Sequence, residues 1–220
     1  MPDVVITVRG EHHLLVPAEL GVAHVVVRFD GPTRGDVVDQ AQRLAVVIQE
    51  ELRAAEGSGS ITKWNSERLS VWADRPWNDK GKQLPLVHHA SVQLVSEWTD
   101  FSALSEWISR ASERDGVAIG GLGWKLTPQV EHDTEKAVAQ GAVQVAIDRA
   151  TAYADALGLT NVQAQQIADV GMMSREMSMK APAPMMMARG AMADAAAPSF
   201  ALEPEEIEIS ATVEARFIAN

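Results

Sequence analysis

Residues 22–60 read VAHVVVRFDGPTRGDVVDQAQRLAVVIQEELRAAEGSGS, and the fold turns on a change of rhythm inside them. Val22–Phe29 is β-branched and apolar, and DGPTRGD stops it, which predicts a strand. From residue 34 to 56 the period becomes helical. Val37, Ala41, Leu44, Ile48 and Leu52 recur at steps of four, three, four and four, while Asp36, Asp39, Gln42, Arg43, Glu50 and Arg53 mostly face the other way. That is an amphipathic helix with one buried stripe. EGSGS (56–60) ends it.

Upstream, Val4–Val8 and HHLLVP predict an extended segment as far as Pro17. Downstream, residues 61–77 and 84–98 predict two long strands, joined through the polar NDKGKQ as a hairpin. Asp100 is a natural N-cap for a second helix whose stripe is Phe101, Leu104 and Ile108, with Trp107 beside it. DGVAIGGLGWKLT (115–127) predicts a strand loosened by glycine. From residue 22 the order is therefore β-α-β-β-α-β, a split βαβ arrangement.

Thr127-Pro128 opens a third, long helix that runs to about Leu157, where Gly158 stops it. Its inner surface is read as small: Ala137, Gly141, Ala142, Val145, Ala152 and Ala156. NVQAQQIADVG (161–171) predicts another strand. The chain closes with EEIEISATVEARFI (205–218), in which Ile207, Ile209, Ala211, Val213, Ala215 and Phe217 alternate with polar neighbours. That pattern is a strand with one face buried. The class is α+β with a mostly antiparallel sheet or sheets. The expectation is one domain over residues 1–220, with an irregular Met/Ala/Pro-rich excursion at about 172–202.

Composition narrows the function classes. Hydrophobic residues make up 46% and charged ones 22%, as in ordinary globular proteins. A net charge of −11 and the absence of a basic run argue against a nucleic-acid partner, since phosphate affinity rests on Lys and Arg clusters. With no cysteine there is no disulfide, thiolate metal site or Cys nucleophile. The opening MPDVVITVRG has no basic segment followed by an apolar one and a small-residue cleavage site, so the expected location is the cytoplasm.

Few residues point to chemistry. His12-His13 and His88-His89 lie on predicted strands, where neighbours point to opposite faces and a pair cannot chelate one metal. One packed and one outward His is the preferred reading. His132 stands among Glu131, Asp133 and Glu135, best read as a solvated acidic first turn of a helix. The tryptophans Trp64, Trp72, Trp77, Trp98, Trp107 and Trp124 are read mainly as packing residues, with Trp64 and Trp72 sharing strand parity and thus one face. GGLGWK (120–125) fits neither glycine-rich phosphate motif. No nucleophile–base motif is visible, and the expectation is a protein without enzymatic activity or cofactor.

Eight of the nine methionines lie between Met172 and Met192. As a membrane span, residues 181–202 have the length but carry Arg189, Asp194 and three prolines, so a transmembrane segment is rejected. Met185, Met186, Met187 and Met192 are candidate Cu(I) ligands, since thioethers suit the soft ion, although no His or Cys joins them. The favoured reading is a contact surface made of Met185, Met186, Met187 and Met192, aided by Trp64 and Trp72, because Met packs adaptably against partners.

Several stretches together resemble the SIMPL-domain family (domain of unknown function 541). ITVRGEHHLLVPAELGVAHVVVRFDG is similar to its opening, AVAQGAVQVAIDRATAYADALGL to its Ala-rich helix, and PEEIEISATVEARF to its closing strand. The likeness implies a bacterial α+β SIMPL fold and large, ring-like or crater-like homo-oligomers. Many members are envelope proteins linked to stress tolerance, and the family is named for a signalling adaptor. The expected departures from the family pattern are the absence of the usual leader, Glu205 before the closing strand, and the bulky EHHLLVPAE. The leading expectation is a self-assembling, non-enzymatic protein; the alternatives are a Cu(I)-binding protein and a cytoplasmic protein-binding adaptor.

Overall fold

The computed structural model describes residues 3–173 and 202–220. In chain order the elements are β1 (Val4–Val16), β2 (Leu20–Gly31), α1 (Arg34–Gly57), β3 (Ile61–Asp74), β4 (Val87–Trp98), α2 (Phe101–Ser112), β5 (Val117–Lys125), α3 (Pro128–Ala156), β6 (Val162–Asp169) and β7 (Ile207–Ala219). This is an α+β architecture with two separate antiparallel sheets. The residues fall into two compact units, each with its own sheet and hydrophobic core.

One unit contains residues 17–127. Its sheet has the order β3-β4-β2-β5, the topology of the split βαβ arrangement predicted from residue 22 onward. Both helices press their apolar stripes onto one face. Val37, Ala41, Ala45, Ile48 and Leu52 of α1 and Leu104, Trp107, Ile108 and Ala111 of α2 meet Val25, Val27, Val92 and Leu94 of the central strands. Ala45 takes the inner position that the periodicity had assigned to Leu44, which is half-buried. Asp100 caps α2 as expected, its carboxylate accepting from the Ala103 N–H at 3.0 Å. The GGLGWK stretch lies in β5, and an extra residue, Gly120, bulges opposite the His24–Val25 step of β2.

The other unit is built from β1, α3, β6 and β7. β7 is central in the order β1-β7-β6, and β1 pairs with it along its full length from Val4–Ala219 to Val16–Ile207. The alternation read in the closing strand is present, with Val213, Ala215 and Phe217 buried. α3 lies on that face. Its buried residues are Thr134, Val138, Ala142, Ala146, Ala150 and Ala154, a strict spacing of four. The predicted set was partly wrong, since Ala137, Ala152 and Ala156 are exposed. A step of four overshoots the 3.6-residue turn, so the stripe winds round the helix as it follows a twisted sheet.

Small residues let the helix sit close. A Cβ on Gly10 of β1 would lie 1.9 Å from the Ala142 carbonyl oxygen and 2.8 Å from the Ala146 nitrogen. Only glycine permits this approach of backbone to backbone. At the adjacent residue of the helix the His12 ring covers Gly141, where a Cβ would fall 2.4 Å from the ring. The helix ends as expected at Gly158 (φ +74°), with the Leu159 N–H returning to the Ala154 carbonyl at 2.9 Å.

Gly10→Ala is expected to destabilise the protein by about 3 kcal/mol, because the clash is with backbone that no rotamer can relieve. Gly123→Ala, with open space around it, should change stability by less than about 1 kcal/mol. Chemical denaturation of the two variants measures both.

Candidate functional site

The most organised polar cluster lies on the face of the β3-β4-β2-β5 sheet that turns away from α1 and α2. Asp30 of β2 and Trp72 of β3 both stand opposite His89 of β4 in the register. Arg28 and Asp74 are each two residues along their strands, hence on the same face. His89 is only 7% exposed. Its Nδ1 lies 2.5 Å from Asp30 Oδ1 and its Nε2 3.2 Å from Asp74 Oδ1. Arg28 Nε donates to the same Asp30 oxygen at 3.1 Å. The Trp72 ring stacks on the imidazole at 4.9 Å and 16°, and the Arg28 guanidinium lies 5.5 Å from the Trp72 ring centre.

A carboxylate at each ring nitrogen requires a proton at each, so the geometry fits the imidazolium form. The hydrogen bonds to Asp30 and then Asp74 raise the His89 pKa above the usual histidine value, and they outweigh burial. For Asp30, burial pushes the carboxyl up, but the bonds and charges of His89 and Arg28 prevail and hold it low. The sign for stability follows. The His89 contribution is complete below the ordinary histidine range and is lost as pH climbs through the raised folded value. The Asp30 contribution is present above the ordinary carboxylate range and is lost as pH falls through its lowered value.

The structure separates the two tryptophans expected on one face. β3 carries two bulges, at Ile61–Lys63 and Ser66–Arg68, and the second lies between them. An extra residue reverses strand parity. Trp64 therefore stands opposite Ser96 on the helix-covered face, where its Nε1 donates to Glu56 at 3.0 Å and Arg53 lies over its ring. Trp72 stands opposite His89 on the other face and is 40% exposed. Trp98 and Trp107 are buried and pack together at 5.3 Å, Trp124 meets Phe101 edge-on, and Trp77 is 66% exposed.

The histidine pairs divide between faces. His12 packs against α3 and His13 is exposed, but at the second pair His88 is half-buried and His89 buried, so neither is the outward residue expected there. His132 is exposed. Among the described residues no three His, Asp or Glu side chains gather as a metal site would require. Met185, Met186, Met187 and Met192, the candidate copper ligands and contact residues, lie outside the described residues. The cluster around His89 escaped sequence reading. Its only trace is two polar i,i+2 pairings on strands, Arg28 with Asp30 and Trp72 with Asp74.

A second feature belongs to the β1-β7-β6 unit. α3 lies mainly over β1 and β7. Beside it a groove of about 380 Å³ opens, floored by Ala215 and Phe217 and walled by Val143 and Ile147 of α3 and by Ala164 and Ile167 of β6. Ile147 is 37% and Ile167 54% exposed. Among the described residues β6 pairs on one side only, with β7.

Two antiparallel sheets, one carrying a split βαβ unit and one backed by an alanine-striped helix, define an α+β protein. The chain belongs to the SIMPL family, described as a protein of unknown function (DUF541), whose model matches residues 6–217. The match spans both units. Comparison with curated proteins finds no match. No helix among the described residues is long and apolar enough to cross a membrane.

Asp30→Asn and Asp74→Asn should each lower the His89 pKa read by NMR titration. The Asp30 change should have the larger effect, because its bond is the shorter one.

Proposed function

We propose that this protein acts by binding copies of itself, as a non-enzymatic homo-oligomer. The observation behind this reading is the side of β6 that has no strand partner among the described residues, beside the apolar groove. β-Strand edges in soluble proteins are usually blunted by Lys, Pro or cover. VQAQQIA (162–168) has no charge and no proline before Asp169. In a chain of net charge −11, that is a stretch where two copies meet without like-charge repulsion. Antiparallel pairing of β6 with β6 of a second copy would satisfy both free edges and cover Ile147 and Ile167 of each. Such a contact is two-fold, and a ring needs a further contact of another kind.

Light scattering on the wild-type chain should give a multiple of the single-chain mass. Ile167→Lys, with an unchanged circular-dichroism spectrum, should lower that mass. A monomeric wild type, or an unchanged mass in the variant, would sink the proposal for this edge.

The Met-rich stretch is proposed as a separate contact on sequence grounds alone. Deleting residues 181–199 should also lower the assembly mass, and an unaltered mass removes it from the interface.

A further inference from the structure

The β3–β4 connection, residues 75–86, forms an exposed arm with its own internal bonding. The Asn78 N–H donates to the Lys82 carbonyl at 2.9 Å, the Gly81 N–H to the Asn78 carbonyl at 2.9 Å, and the Leu84 N–H to the Pro76 carbonyl at 2.8 Å. Asn78 Oδ1 accepts from the Lys80 and Lys82 N–H groups, and Trp77 pairs with Gln83. These bonds all begin and end within the arm. Trp77, Leu84 and Leu86 are exposed on it, at 66, 39 and 39%. The arm is thus held by its two roots, Asp74 at the end of β3 and Val87 at the start of β4.

The root on β3 is tied through His89. Among the described residues β3 is an edge strand, and Asp74 is its last residue. One imidazole joins the Asp74 carboxylate to Asp30 of β2, so a single side chain staples three strands at this end of the sheet. We propose that His89 is a proton-operated clasp that fixes the base of the 75–86 arm when charged and releases it when neutral. A neutral imidazole keeps one N–H only. The shorter contact, at 2.5 Å to Asp30, retains it. The Nε2 lone pair then faces the Asp74 carboxylate, and a bond becomes a repulsion. Stacking on Trp72 and the Arg28–Asp30 pair persist, so the loosening is confined to the end of β3.

Among the described residues, the charged groups facing the imidazole are Arg28 and Asp30 from β2 and Asp74 from β3; on β4 itself His88 points to the opposite face. Histidine is the side chain whose ordinary titration range lies between about pH 5.5 and 8.5, and in this cluster that is His89. Its pKa, raised by the bonds to Asp30 and Asp74, places the change above the ordinary histidine range. Of the other polar clusters, Glu51 with Trp107 and Arg114 ties α1 to the α2 end of the same unit and reaches neither arm root.

Hydrogen exchange of the full-length protein, corrected for intrinsic rates, decides the matter across pH 5.5 to 8.5. Protection of residues 72–87 should fall by up to about tenfold per pH unit from about pH 6.5 to the folded His89 pKa, while α2 and β5 stay constant. His89→Gln should remove that dependence and leave protection at the wild-type high-pH level. Asp74→Asn should weaken the dependence while keeping the fold, and it decides the case if the first variant does not fold. Constant protection at 72–87 while His89 titrates by NMR overturns the clasp. So does a His89 pKa at or below the ordinary value, or a loss of protection spread evenly over the unit.

Discussion

The contact between Gly10 and α3 is the constraint on which one of the two units depends. Backbone meets backbone there, with no side chain between β1 and the helix. Everything near it follows from that spacing. Alanine recurs at the inner positions Ala142, Ala146, Ala150 and Ala154 because nothing larger fits under a helix so close. The core there is thin and built from many small contacts, with Phe217 its largest fully buried contributor from β7. A helix held this tightly over β1 and β7 leaves β6 to one side, and the groove at Ile147 and Ile167 is the result.

In the 17–127 unit the deciding detail is a single extra residue in β3. The bulge at Ser66–Arg68 turns Trp64 toward α1 and Trp72 toward His89. Without it, Trp72 would face the helices and the imidazole would lack its stacking partner. The same strand thus serves the core at one end and the polar cluster at the other. Glu19 shows a similar economy. Its carboxylate accepts from both the N–H (3.0 Å) and the hydroxyl (2.6 Å) of Thr127, and these bonds from Thr127 hold its pKa low.

Legibility from sequence followed physical range. Elements set by local rhythm were readable: α1, the hairpin strands, the Asp100 cap, the Gly158 stop and the closing strand. The order of strands in the split βαβ sheet was also readable, because short connections leave few topologies. Errors arose where local rhythm was broken or shifted. A period of four instead of 3.6 misplaced part of the α3 face, and a bulge misplaced Trp72. The cluster of Arg28, Asp30, Asp74 and His89 could not be read at all. It depends on the register of three strands, and register is a property of pairing across the sheet. The division into two sheets was likewise invisible, since β1 and β7 show their partnership only in three dimensions.

That partnership has a consequence for how the molecule is made. Arg9 and Glu214, 205 residues apart, form an ion pair across the β1–β7 ladder. β1 leaves the ribosome early but has no partner in its sheet until β7 emerges. Meanwhile residues 17–127 contain every strand and helix of their own sheet and can close it first. The unit holding β1 is the one of long-range contacts and slow closure. During synthesis its first strand is an orphan, and a nascent chain that stalls before β7 leaves the backbone edge of that strand unpaired.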